Sequence, residues 1–363
     1  MLSGWQRAIT LIINVEVNKT MNDLTEVNLR APYLIFIGDV KEKLYAKTGL
    51  GIIQWRHELV AGQLRFPGCL VDMGVPDMSI EDAVRAGVKS LIIGVAPIGG
   101  NIPDVWWKTI EKAAMAGLDI VCGLHLKLAE VSAIAAAAEK SGARLIDVRN
   151  PPKNIPVGSG KKRQGKRLLM VGTDCGVGKK YSALALEPAM NNRGLKSTFR
   201  ATGQTGIMIA GVGVPIDTVV ADFISGTAEL VSPDNDPDHW DVIEGQGSLF
   251  HPGYAGVSLG LLHGSQPDAI VVCHDPSREH MGGMPDYSMP TVRDCIDRNI
   301  LEGQLTNPAI QCVGVCVNTS MLSDQERESY LRKLANEVNL PCVDPLIQGC
   351  DEIVTQIKNK FDC

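Results

Sequence analysis

The 363-residue sequence predicts an α/β protein of two parallel-sheet units, a Rossmann-like unit over residues 31–152 and a P-loop unit over residues 166–363. Three observations predict it. Short continuous apolar runs alternate with helix-like segments, the signature of a parallel sheet covered on both faces. A stretch rich in Pro, Gly and basic residues, Pro151 to Arg167, divides that alternation in two. The second half then opens on an apolar run, a glycine-rich loop and a helix, in that order.

The elements follow in sequence. Tyr33–Ile37 (YLIFI) ends in Gly38 and Asp39 and has the character of a strand buried on both faces. Similar runs lie at Ser90–Val95, Asp119–Cys122 and Arg144–Val148. Helices are predicted between them at Ser79–Ala86, Trp106–Ala116 and Lys127–Lys140. Ser79 with Asp82 resembles a capping box. Gly87, Gly117 and Gly142 each stand where a left-handed residue ends a helix. Lys47–Gly49 and Gly94–Asn101 read as loops after strands. Pro151–Arg167 carries six Lys and Arg residues and no apolar periodicity, so it reads as a solvated linker. In the second half, strands are predicted at Leu168–Val171, Ser197–Arg200, Asp241–Glu244, Ala269–His274 and Gln311–Asn318. Helices are predicted at Lys179–Asn191, Met289–Leu301 and Asp324–Asn336.

Composition narrows the function classes. A net charge of −6 argues against a nucleic-acid binder. No apolar run approaches the ~20 residues that span a bilayer. Ten cysteines without a CxxC pair fit a reducing compartment, hence the cytoplasm. The first twenty residues read either as an extension or as sequence ahead of a natural start at Met21.

The sharpest motif is GTDCGVGKK, Gly172 to Lys180. Between a strand and a helix, such a loop turns backbone N–H groups toward an anion and adds the helix dipole. Thr173, Asp174, Cys175, Gly176, Val177, Gly178, Lys179 and Lys180 are the predicted phosphate ligands. A nucleotide-hydrolysing P-loop has Ser or Thr directly after its Lys, to hold Mg²⁺. Here that position is Lys180, which repels a metal, so no metal is expected. Cys175 inside the loop is a candidate thiolate nucleophile or merely a small tolerated residue. Arg200 opens RATGQTG after a strand and is a candidate carboxylate clamp, with Gln204 and Thr205 as polar lining; the alternative is an Arg paired with an acidic neighbour. Glu244 ends a strand in a Walker-B-like position. It, His251 (in LFHPG) and His274 (ending AIVVCH) are the candidate bases. The histidines lack metal-ligand spacing.

GTDCGVGKK, FRATGQTG, VIEGQGSLFHP and the strand ending in CHDP together resemble a bacterial and archaeal P-loop family first described only as a domain of unknown function. Its carboxyl half is similar to dethiobiotin synthetase. The resemblance covers the chain from about Ala31 onward. It implies D-glutamate N-acetyltransferase activity, with acetyl-CoA as donor, in D-amino-acid catabolism beside an epimerase of the enolase superfamily. Where dethiobiotin synthetase ends its loop in Lys-Thr, this chain has Lys179-Lys180, which fits a coenzyme A phosphate better than ATP with Mg²⁺. Direct transfer is the expected route, with an acyl-Cys175 intermediate as the variant. The competing readings are an ATP- and Mg²⁺-dependent ligase or kinase, and a nucleotide sensor without turnover. A homo-oligomer acting on a small-molecule amino acid, without nucleic acid or membrane, completes the expectation.

Overall fold

The computed structural model describes residues 24–97 and 102–363. The segment before Met21 and the end of the Gly94–Asn101 loop lie outside the described residues. Two compact units emerge, and neither is continuous in sequence. One gathers Thr25–Pro151 with Gln204–Thr218; the other gathers Pro152–Gly203 with Val219–Cys363.

The first unit is built on a five-stranded sheet, all parallel. Its strands run Val60–Arg65, Tyr33–Gly38, Ser90–Ile93, Asp119–Cys122, Leu145–Asp147 across the sheet. In chain order that is 2-1-3-4-5, a doubly wound arrangement. Leu34 to Ile37 are fully buried, as a strand covered on both faces requires. The Ser79–Asp82 capping box is formed, and Gly87, Gly117 and Gly142 all have positive φ.

Two expectations need correction here, and one strand was not expected. Lys47–Gly49 is not a loop but the start of a helix, Lys47–Arg56. Its glycines serve packing: a Cβ on Gly49 would lie 2.7 Å from Ile35 Cγ2, so only a bare backbone lets the helix press on the sheet. The helix expected at Lys127–Lys140 is a 3₁₀ turn at Leu128–Glu130 followed by a helix at Ser132–Ser141, because Asp147 accepts from the Leu128 N–H and pins the turn. Val60–Arg65 is an additional strand, at the sheet edge and only partly buried. The helix Gln204–Ala210 packs on Lys47–Arg56, and the Thr205 hydroxyl donates to Thr48 Oγ1 at 3.2 Å.

The second unit has a six-stranded sheet, again parallel, ordered Cys342–Val343, Gln311–Val317, Ala269–His274, Lys166–Gly172, His239–Ile243, Lys196–Arg200. The strand leading into the glycine-rich loop is central, flanked by the strands that end in His274 and lead to Glu244. Ligands of open α/β sheets bind at the carboxyl ends of strands where the order reverses. That point lies between Lys166–Gly172 and Ala269–His274. Helix Val292–Gly303 begins later than expected, because Thr291 caps it after Pro290.

The basic stretch is not a solvated linker throughout. Arg167 is 1% exposed and donates to the carbonyls of Arg163, Gln164, Gly165 and Pro233. Arg163 donates to the carbonyls of Ser232 and Gly264, and burial pushes its guanidinium down to about 10. The five donors of a guanidinium suit it to gather carbonyls that have no strand partner.

One close approach governs the loops at the carboxyl edge. A Cβ on Gly245 would fall 1.6 Å from the Met170 carbonyl oxygen. Gly245→Ala is therefore expected to cost about 1–3 kcal/mol or more through forced backbone movement. Gly256→Ala in helix Ala255–Ser265, where nothing lies within 4 Å, is expected to be neutral or mildly stabilising. Thermal unfolding of the two variants in parallel checks the contrast.

Candidate functional site

The glycine-rich loop connects strand Lys166–Gly172 to helix Lys179–Asn192. Gly176 and Gly178 have φ of 67° and 107°, conformations that favour glycine, while the Thr173 N–H donates to Cys273 O and the Cys175 N–H to Asp174 Oδ1. No side chain caps the helix, so the positive end of its dipole faces the loop. Lys179 is 6% exposed, and its Nζ donates to the Asp174 carbonyl at 2.7 Å, across the loop mouth. Lys180 follows, its ammonium 4.7 Å from the centre of the Tyr181 ring. Ser182, the nearest hydroxyl down the helix, is buried and donates to Gly178 O, so it faces the core rather than the loop.

Two neighbouring segments brace the loop. From one side, Ser248 Oγ donates to Thr173 O at 3.1 Å, and Gly245 lies against the Lys179 stem, 3.0 Å from its Cδ to the position of a Cβ. From the other side, Arg278 Nη1 donates to Asp174 Oδ2 at 2.9 Å and to Cys175 O at 2.8 Å, while Nη2 donates to Gly176 O at 3.1 Å. Asp174 is fully buried; its carboxylate also accepts from the N–H groups of Cys175 and Gly282. Arg278 and Gly282 sit on the turn and hairpin after His274. Neither was singled out from the sequence as a site residue. The only signal was an Arg and a Gly-Gly pair just past a buried strand.

The expected bases differ in availability. His251 has both ring nitrogens engaged: Nε2–H donates to Gly282 O, and Nδ1 accepts from the Gly253 N–H, each at 3.1 Å. Its ring stacks on Tyr254 at 4.6 Å. Glu244 is buried, and its Oε2 accepts from the N–H groups of Thr202 and Gly203 at 3.0 Å each. It thereby ties the RATG loop to the strand beside the P-loop. His274 lies at the switch point, 8% exposed, with Nδ1 3.1 Å from Thr173 Oγ1. Its Nε2 makes no hydrogen bond to a described residue. Burial pushes its imidazole down to about 4, against a smaller opposing pull from Asp275, so it is neutral at pH 7.

Arg200 donates through Nε to Asp241 at 2.7 Å, the acidic pairing that was its alternative reading. Its two terminal amino groups make no hydrogen bond to a described residue. Gln204 and Thr205 belong to the other unit from Arg200 and Glu244. Asp174, Cys175 and His251 place ligand atoms within 4.8 Å of one another. That cluster suits a metal poorly, because the Asp174 carboxylate and both His251 nitrogens already have partners and Arg278 brings a positive charge to the same place.

Comparison with known proteins agrees with this architecture. Residues 156–354 match a family model described as a domain of unknown function, DUF1611_C, P-loop domain. Residues 65–151 match its partner, the DUF1611_N Rossmann-like domain. A protein named D-glutamate N-acetyltransferase from Tritonibacter scottomollicae is 48% identical over 326 residues, 90% of this chain and 98% of that one. Another of the same name, from a Pseudoalteromonas species, is 47% identical over 331 residues, 91% of this chain and all of that one. The crystal structure of a DUF1611 family protein from Anabaena variabilis superposes with a TM-score of 0.81 at 31% identity, covering 92% of this chain and 100% of that one. With the P-loop model alone matching more than half of its length, the chain belongs to the DUF1611 family.

Proposed function

We propose that this protein is an N-acetyltransferase that moves an acetyl group from acetyl-CoA to the amino group of D-glutamate. The observation that carries the reading is the pair of relatives bearing that activity in their names, 48% and 47% identical over about nine-tenths of the chain. The loop chemistry supports it. A divalent ion within ~4 Å of an ammonium, at an effective dielectric of ~20, meets a repulsion of about 8 kcal/mol. Lys180 sits where a nucleotide-hydrolysing loop carries its metal-binding hydroxyl, so the loop suits a phosphate group that comes without Mg²⁺.

When bound, acetyl-CoA supplies an activated thioester. The chain's own residues supply the rest. The amides of Gly176 to Gly178, with Lys179 and Lys180, hold a phosphate of the donor; those of Thr173 and Cys175 already donate to Cys273 O and Asp174 Oδ1. D-glutamate reacts as its free amine, its ammonium proton lost to solvent; in the tautomer that donates Nδ1–H to Thr173 Oγ1, neutral His274 Nε2 takes the proton that the attacking nitrogen sheds as the C–N bond forms and passes it to the leaving thiolate. The terminal amino groups of Arg200 face a substrate carboxylate while Asp241 holds its Nε. Glu244 keeps the RATG loop in place, and His251 braces the hairpin through Gly282. In direct transfer the new C–N bond forms as the C–S bond breaks, and the thiol leaves with one proton. The ten free thiols fit a reducing, cytoplasmic setting, and no helix among the described residues is long and apolar enough to cross a membrane. The resemblance also fits a homo-oligomer in D-amino-acid catabolism, working beside an enolase-superfamily epimerase.

Thiol release from acetyl-CoA, measured with a panel of D- and L-amino acids, is expected with D-glutamate and to persist in EDTA; turnover of ATP that requires Mg²⁺ would overturn the reading. Cys175→Ala is expected to keep kcat within about threefold; its loss, with donor binding intact, would favour the acyl-enzyme route. The His274 shift predicts acid sensitivity. With a folded value of about 4 and an unfolded value of ~6.5, the unfolded state binds the extra proton. Stability contributed by neutral His274 is complete above the unfolded value and declines as pH falls toward the folded one. Chemical denaturation of His274→Asn is expected to lose about 2 kcal/mol less than the native protein between about pH 7.5 and about pH 5.

A further inference from the structure

A loop that binds anions through its amides has a problem when it carries a carboxylate of its own. Asp174 is fully buried one residue into the phosphate loop, where its negative charge opposes any phosphate seated nearby. Burying an unpaired charge is costly, and an incoming anion raises that cost. The structure supplies one guanidinium to answer it. Arg278 Nη1 reaches Asp174 Oδ2 at 2.9 Å, and the same guanidinium takes the carbonyls of Cys175 and Gly176 at 2.8 and 3.1 Å. Those two carbonyls belong to the turn whose amides must point the other way, into the anion site. A group that gathers the carbonyls outward therefore also sets the amides inward. The arrangement is anchored at its far end: the Gly282 N–H donates to Asp174 Oδ2 at 2.7 Å, and His251 Nε2–H donates to Gly282 O. Arg278 Nε lies 3.6 Å from Asp275 Oδ2, which holds the guanidinium from behind.

We infer that Arg278 is a positioning residue for the phosphate loop, one that neutralises Asp174 and fixes the outward carbonyls of Cys175 and Gly176 so that the loop can accept an anion. Arg278 touches neither reacting atom. It acts through the loop, from the side that carries the outward carbonyls. The inference rests on the reading that the loop holds a phosphate of the acyl donor, but concerns the loop's charge balance rather than the donor's identity.

The test is a double-mutant cycle on the full chain, with Arg278→Gln, Asp174→Asn and the combination. Calorimetric titration with inorganic pyrophosphate and, separately, with coenzyme A gives the binding readout, and thermal unfolding of each variant reports folding. Arg278→Gln is expected to weaken binding of both probes at least about tenfold, because Asp174 is left uncompensated. Removing the carboxylate as well is expected to restore most of that loss, so the effect of Arg278→Gln in the Asp174→Asn background shrinks to about threefold or less. Arg278→Lys, which keeps the charge and loses the fork, is expected to fall between the two. In turnover, Arg278→Gln is expected to raise KM for acetyl-CoA more than it lowers kcat. Pyrophosphate binding unchanged in a folded Arg278→Gln variant would overturn the inference. So would equal losses in both backgrounds, which would leave Arg278 a structural strut without a charge role. A native protein that binds pyrophosphate but not coenzyme A would overturn the donor assignment, while the cycle on pyrophosphate still decides the role of Arg278. Should Arg278→Gln fail to fold, the lysine variant carries the comparison: binding equal to that of the native chain, in both Asp174 backgrounds, overturns the two-carbonyl part of the claim.

Discussion

The carboxyl edge of the second unit depends on how one buried carboxylate is balanced. Asp174 lies inside the glycine-rich loop, and it accepts from Arg278, from the Gly282 N–H and from the N–H of Cys175. Those bonds join three separate stretches: the loop, the turn after the Ala269–His274 strand and the hairpin that follows. His251 adds a fourth through Gly282. The geometry of the loop is thus not a property of its own nine residues. It is held from outside by groups about a hundred positions away in sequence.

The other side of the loop is held by close backbone approach. Gly245 lets the segment after strand His239–Ile243 lie directly against Met170, and Glu244 collects the amides of Thr202 and Gly203. A carboxylate that accepts two backbone N–H groups orders a loop well, at some cost to its freedom as a base. His274 has the complementary profile: it is buried, neutral, bonded at one nitrogen and available at the other. Glu244 therefore has a structural duty at this edge that by itself calls for no metal.

Some of this architecture was legible in the sequence. The interior strands were, because a run of four to six apolar residues buried on both faces has little else it can form. The start of helix Lys179–Asn192 and the caps at Ser79 and Gly142 were equally local. The elements that escaped have physical reasons in common. Strand Val60–Arg65 is at an edge, so its apolar signal is diluted by Gly62, Gln63 and Arg65. Helix Lys47–Arg56 contains a glycine that reads as loop but serves close packing, and helix Ala255–Ser265, where no element was expected, packs closely through its own: a Cβ on Gly260 would lie 2.6 Å from Ile224 Cγ2. The Arg163 and Arg167 guanidinia read as solvated because their carbonyl partners come from Ser232, Pro233 and Gly264.

By itself the sequence determined the fold class and the lysine pair that follows the loop. Each is a local property: apolar runs, helix signals and the chemistry of one position next to Lys179. Only the tertiary structure decided which groups surround the loop, which histidine keeps a ring nitrogen without a hydrogen bond to a described residue and to which unit Gln204–Thr218 belongs. Those outcomes depend on hydrogen bonds spanning many tens of residues, and on backbone approaches that a glycine permits without announcing. No periodicity in the chain encodes which distant partner completes them.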